Sequence, residues 1–255
     1  MKETILSLLV ALSALIEQSV LAEELTLTVA DNQALQAALQ HPSRPAEDKA
    51  ADGNRKPAQL LAFYGIKPGM QVADMMSGRG YYAEILSRYL GPDATVYAQN
   101  NSIALGRFAS KAMDKRLNGR DLDNVVRLDR ELEEPGFPVG KLDAVLLGLF
   151  YHDSYWMKAD RHKMNRAIYA SLKPGGVFAL WDHHAEMGSG DRDVQTLHRV
   201  DETMVIEEVM AAGFVLEATT DLLTNPEDDR TINVFDPRIR GKTDRFVLRF
   251  RKPLD

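Results

Sequence analysis

Along this chain, short apolar runs alternate with segments whose apolar residues fall three and four apart, and from Lys56 onward the alternation is regular. Pro57 suits the first turn of a helix, Leu60, Leu61 and Tyr64 share one face, and Gly65 ends it. Val72 and Ala73 begin a short strand leading to Asp74. Tyr82, Ile85, Leu86, Tyr89 and Leu90 then form a one-sided helical stripe, closed by Gly91-Pro92. Residues 95–98 read as a second strand, 103–117 as a helix, 125–126 as a third strand and 142–149 as a fourth that is nearly all apolar. Met164, Ala167, Ile168 and Leu172 give another helix, 177–181 a fifth strand, and Val205, Ile206, Val209 and Met210 a helix ending at Gly213.

Apolar strands alternating with amphipathic helices predict a parallel sheet covered on both faces. The C-terminal end differs: strands at 214–218 and 245–250 are joined only by an irregular loop over 221–244, so they should pair antiparallel. The predicted fold is α/β, a Rossmann-like doubly wound sheet of seven strands, five parallel plus a C-terminal antiparallel hairpin, over residues 56–255. Residues 23–55 read as a polar arm covering the domain, with one helical candidate at Leu35, Ala38 and Leu39, broken by His41-Pro42-Ser43-Arg44-Pro45.

The first 22 residues have a different pattern. Met1-Lys2 leads into an uncharged, mostly apolar run over 4–16, followed by small or β-branched Val20 and Ala22. This is the layout of a secretory signal cleaved after Ala22, and the run is shorter than the ~20 apolar residues that span a bilayer. Export to the periplasm or outside the cell is expected, with no stable membrane span after cleavage; an N-terminal helix retained in the cytoplasm is the alternative.

Lys and Arg total 31 against 37 Asp and Glu, a net charge of −6, so no nucleic-acid partner is expected. The absence of cysteine excludes disulfides, thiolate nucleophiles and Cys-ligated zinc.

Asp74-Met75-Met76-Ser77-Gly78-Arg79-Gly80 lies between the first strand and its helix. Glycines there allow a tight turn and close approach of a ligand to the backbone. With Asp74, Gly78 and Gly80, and with Met76 in place of a first glycine, this segment resembles the first motif of class I S-adenosylmethionine (SAM)-dependent methyltransferases. Lys173-Pro174-Gly175-Gly176 is similar to the turn before that family's fifth strand. The chain looks closest to a group of predicted exported bacterial methyltransferases, through Tyr151-His152-Asp153, Asp182-His183-His184-Ala185, His198-Arg199-Val200-Asp201 and Asn225-Pro226-Glu227-Asp228-Asp229-Arg230. The resemblance covers nearly all of residues 55–253. It implies SAM as cofactor, held by Asp74, Gly78 and Gly80, with Gln99 and Asn100 where the family usually has a ribose-binding acid, and Asp129 toward the adenine. A branched side chain at Gly80 is expected to abolish SAM binding with the fold intact.

His152 and Asp153 follow the fourth strand, and Asp182, His183 and His184 the fifth. In a doubly wound sheet these are neighbouring ligand-binding ends. They form the candidate catalytic set, with His198 and Arg199 from a later loop: His152 is the first choice of base, then His184 and His183, with Asp153 or Asp182 orienting an imidazole and Arg199 or Arg230 on an anionic group of a small substrate. The alternatives are a non-catalytic ligand-binding protein of the same fold and a metal site of His152, His183 and His184.

Overall fold

The computed structural model describes residues 27–254, so the expected signal over residues 1–22 lies outside them. In chain order the helices and strands are α1 (Val29–Gln40), α2 (Ala46–Arg55), α3 (Pro57–Phe63), β1 (Val72–Met75), α4 (Tyr81–Leu90) and β2 (Val96–Asn100). A continuous helical stretch follows, α5 (Ser102–Ala104), a π-helical turn (Leu105–Ala109) and α6 (Ser110–Leu117). Then come β3 (Val125–Asp129), β4 (Leu142–Gly148), α7 (Tyr151–Trp156), α8 (Arg161–Ser171), β5 (Leu172–His183), α9 (Glu202–Met210), β6 (Val215–Thr219) and β7 (Arg245–Arg251).

The seven strands form one sheet in the order β3-β2-β1-β4-β5-β7-β6. The first five are parallel, and β7 runs antiparallel to both β5 and β6. The predicted topology is met, with the later strand of the final pair on the inside. Its reason is burial: residues 245–250 of β7 are all buried, whereas β6 is the partly exposed edge. One apolar layer packs Leu35, Leu60, Tyr64, Ile85, Leu86 and Tyr89 on one face, and the other packs Met164, Ile168, Val205, Val209 and Phe214 on the opposite face. Among the described residues no helix is long and apolar enough to cross a membrane.

Helix α2 has no counterpart in the sequence pattern. Its ten residues bury no side chain, so no apolar stripe announces it. Tertiary ion pairs hold it, Arg44 to Asp52 at 2.8 Å and Arg116 of α6 to Asp48 at 2.6 Å, and Arg55 lies 4.3 Å over the Tyr81 ring. The arm thereby closes one side of the space above β1.

Candidate active site

The turn after β1 is built from three left-handed residues: Met76 at φ 51°, Gly78 at 60° and Gly80 at 80°. Met76 thus adopts a conformation that favours glycine, at the position where it stands in place of one. The turn's shape is maintained by amides at the end of β2. Gln99 Oε1 accepts from Met76 N–H at 3.1 Å and Gln99 Nε2 donates to the Arg130 carbonyl at 2.6 Å. Asn100 Oδ1 accepts from Gly78 N–H at 2.8 Å, and its Nδ2 donates to the Gly78 carbonyl at 3.3 Å. Both are fully buried, so the role expected for them at a ribose is corrected: their polar groups are already used by the turn. Asp129 is likewise not turned to the site, but exposed at the end of β3 and paired with Arg127 at 2.8 Å.

Gly80 also needs a correction. A Cβ there would lie 2.9 Å from Met113 Sδ and 3.2 Å from Arg116 Cγ, so the missing side chain makes room for α6. A branched residue at Gly80 would strain the fold itself, and is no selective probe of a ligand.

Asp74 is buried at 6% exposure, accepting from the Ser77 hydroxyl at 2.6 Å. Burial raises its carboxyl to about 6, against the pull of Ser77, the Ala83 N–H, Arg55 and Arg116. Beside it, the Tyr82 hydroxyl is buried with no hydrogen-bond partner among the described residues. Arg55 and Arg245 are both within electrostatic reach of that hydroxyl. Arg245 is buried at 6% exposure, and among the described residues its guanidinium bonds only backbone carbonyls, those of Thr243 and Asn54. Trp181 forms the floor, 5.2 Å from the Tyr82 ring; its indole crosses Gly148, where a Cβ would lie 2.0 Å from Cζ2. None of Tyr82, Arg55, Arg245 or Gly148 stands out in the sequence, because they are scattered over four elements and come together only when the arm folds onto the sheet.

The second group lies at the ends of β4 and β5. His152 opens α7 and is 3% exposed. Its Nδ1 donates to Asp182 Oδ1 at 2.7 Å, and its Nε2 lies 3.0 Å from Asp153 Oδ1. Asp182 also accepts the backbone N–H groups of His152 and His183, at 2.8 and 2.7 Å. Burial lowers the His152 imidazole, but the two carboxylates outweigh it and raise it to about 10. Asp153 takes the Trp156 indole N–H at 2.6 Å and lies 3.3 Å from His198 Nδ1. Despite burial, those donors hold its carboxyl well below the usual range. The ring of His198 stands 5.5 Å from that of His152 and 4.9 Å from Phe235. His183 completes the group, 5.7 Å from His152, with Nδ1 2.7 Å from the Thr243 hydroxyl. Burial, then the charges of His152, Arg245 and Arg199, keep it neutral. His183 is also register partner to Arg245 on β7, so the two groups adjoin.

His184 and Arg199 do not join them. The His184 ring turns to Glu202 at 3.2 Å and Asp244 at 3.3 Å. Although burial opposes it, those carboxylates raise its titration above the ordinary histidine range. Arg199 is fully buried against Asp228 at 2.9 Å and ties the loop after β5 to the loop before β7. Arg230 donates to the same Asp244 and to the Ala185 carbonyl. The metal set of His152, His183 and His184 is therefore corrected, since the three rings have separate partners. His152 as base meets a related obstacle, as both its nitrogens are engaged.

No family model and no curated protein matches this sequence. Solved structures do match in shape. A SAM-dependent methyltransferase from Aquifex aeolicus is similar with a TM-score of 0.57 and 20% identity, over 82% of this chain and 98% of that one. The chain has the class I methyltransferase fold. Geranyl diphosphate C-methyltransferase from Streptomyces coelicolor A3(2), solved with Mg2+, geranyl diphosphate and S-adenosyl-L-homocysteine, gives 0.56 and 16% identity over 85% and 87% of the two chains. The [4+2]-cyclase SpnF gives 0.56 and 15% over 79% and 82%. Since that fold carries a cyclase as well, chemistry must be argued from the site.

Proposed function

We propose that this protein is a SAM-dependent methyltransferase acting on a small acceptor. The observation that carries the reading is the Tyr82 hydroxyl, buried with no hydrogen-bond partner among the described residues and within reach of Asp74, Asp52, Arg55 and Arg245. A buried hydroxyl without a partner costs about 1–3 kcal/mol, and Arg55 and Arg245 make no ion pair within 4.0 Å among the described residues. A ligand bearing both an ammonium and a carboxylate group balances all of them. The methionyl end of SAM is such a ligand: Asp74 would hold its amino group, and Arg55, Arg245 and Tyr82 its carboxylate, beside the turn at Gly78. Bound there, SAM supplies an electrophilic methyl group.

The chain's own part is to position the acceptor and exclude water. His183 separates the two groups and, being neutral, adds no charge between them. Asp153 and His198 are the partly open members of the second group, at 21% and 24% exposure, so they face an acceptor. An acceptor hydroxyl or amine donates to the Asp153 carboxylate, and the edge of Phe235 packs along its apolar part. Asp182 keeps His152 from turning, and His152 in turn fixes Asp153. Export after cleavage at Ala22 belongs to the same proposal, and the mature chain would start at Glu23.

Calorimetric titration with SAM and S-adenosylhomocysteine tests the reading. One site is expected, with Tyr82→Phe and Arg245→Gln each weakening it about tenfold, the effect of roughly 1.4 kcal/mol. A folded wild-type protein that takes up neither ligand overturns it.

A further inference from the structure

We infer that His152, Asp153 and His198 form a binding site for a divalent transition-metal ion of zinc type. One donor atom from each lies within 4.8 Å of the other two. The two closest separations are 3.0 Å from His152 Nε2 to Asp153 Oδ1 and 3.3 Å from Asp153 Oδ1 to His198 Nδ1. Ligands about 2.0–2.2 Å from a tetrahedral ion stand roughly 3.3–3.5 Å apart, so two of the three donor pairs are already close to the edges of one coordination polyhedron. Two imidazoles and one carboxylate, with the fourth direction open, is the ligand set of catalytic zinc sites.

Three features independent of those distances point the same way. First, Asp182 receives Nδ1–H of His152 at 2.7 Å, which leaves Nε2 as the nitrogen facing Asp153, where an ion would take the place of the proton the two now share. A carboxylate behind a ligating histidine is the usual outer support of a metal ligand. Second, Trp156 donates to Asp153 at 2.6 Å and steadies the carboxylate from behind. Third, His198 has φ 56°, a left-handed conformation that costs a non-glycine residue energy and is kept where surroundings impose it. Its neighbour Arg199, fully buried against Asp228, imposes it. The loop therefore holds the imidazole against Asp153 at a cost, as a ligand requires and a solvent-facing histidine does not.

Asp153 and His198 are partly exposed and Phe235 lies 4.9 Å from the His198 ring, so an acceptor oxygen or a water arriving from that side would complete the coordination. An ion there would lower the pKa of an acceptor oxygen bound to it, so that its proton passes to water and the ion holds the negative charge left behind. The donor geometry stands without the methyl-transfer reading, and only this last role rests on it.

The experiment uses the full chain, stripped with a chelator and titrated with Zn2+ by calorimetry and with Co2+ by visible absorption. One ion per chain is expected. His198→Ala should weaken binding by more than the roughly 10–100-fold that loss of an outer partner costs, and Asp182→Asn should fall inside that range. His184→Ala, outside the cluster, should bind as wild type does. Circular dichroism confirms that each variant is folded, and His198→Gln replaces His198→Ala if the latter is not. Sub-stoichiometric Zn2+ on the wild type, or a folded His198 variant binding as tightly as wild type, overturns the inference. A SAM titration of the same preparations separates the two ideas: SAM bound without the ion sinks the metal site alone, and the ion bound without SAM sinks the methyl-transfer reading alone.

Discussion

Replacing Asp74 by asparagine tests the electrostatics of the site in a protein without ligand. The carboxyl lies against Ser77, the Ala83 N–H, Arg55 of α2 and Arg116 of α6, and burial raises it from 3.8 to about 6 in spite of them. A shift of that size corresponds to about 3 kcal/mol between the two protonation states. The sign follows from proton uptake. The folded chain holds this proton more tightly than the unfolded one, so its contribution is complete below pH 4 and is lost as the pH rises through 6. The substituted amide would be neutral throughout and could still bond Ser77. Near pH 4 the Asp74→Asn variant should match wild type, and at pH 7.5 it should be more stable by about 2–3 kcal/mol. Urea denaturation followed by tryptophan fluorescence at a series of pH values measures the difference, cancelling carboxylates common to both chains. A difference that does not change between pH 4 and 7.5, or a variant less stable at the higher pH, would refute the reasoning. On the proposed function, the same variant should also lose SAM affinity.

Tyr82→Phe removes the unsatisfied hydroxyl and should stabilise the ligand-free protein by about 1 kcal/mol, read in the same denaturation assay. A destabilised variant would show that the hydroxyl has a partner. Gly80→Val should cost at least about 2 kcal/mol through positive φ and the Met113 contact, visible as a lower urea midpoint with no ligand present. Asp228→Ala leaves Arg199 buried and unpaired and should cost about 3–5 kcal/mol; a loss under 1 kcal/mol would mean that Arg199 finds water or another partner. Mass spectrometry of protein secreted by its native host should show Glu23 at the N-terminus, and an intact residue 1 in the soluble fraction would exclude cleavage.

The periodicity of apolar residues was enough to determine the α/β class and the parallel sheet, because central strands such as 142–148 are buried along most of their length and are nearly all apolar. It also indicated the reversed final strand, since the loop over 221–244 contains no crossover helix. The glycine turn and the His and Asp residues at the strand ends were legible for the same reason: chain order alone places them at the carboxyl edge. Which of them share a space was not legible. His183 and His184 are adjacent in sequence, yet strand alternation sends them to opposite surroundings, Thr243 and His152 for one, Glu202 and Asp244 for the other. His198 joins Asp153 across 45 positions because the buried Arg199–Asp228 pair fixes its loop. Gln99 and Asn100 have the composition of a ligand site but are used by the turn beside them. Helix α2 has no apolar stripe and forms through ion pairs to Arg44 and to Arg116 of α6, and it carries Arg55 to the buried Tyr82 hydroxyl. Local pattern depends on which face of one element is buried, whereas each of these contacts depends on where a second element lies, and only the folded chain decides that.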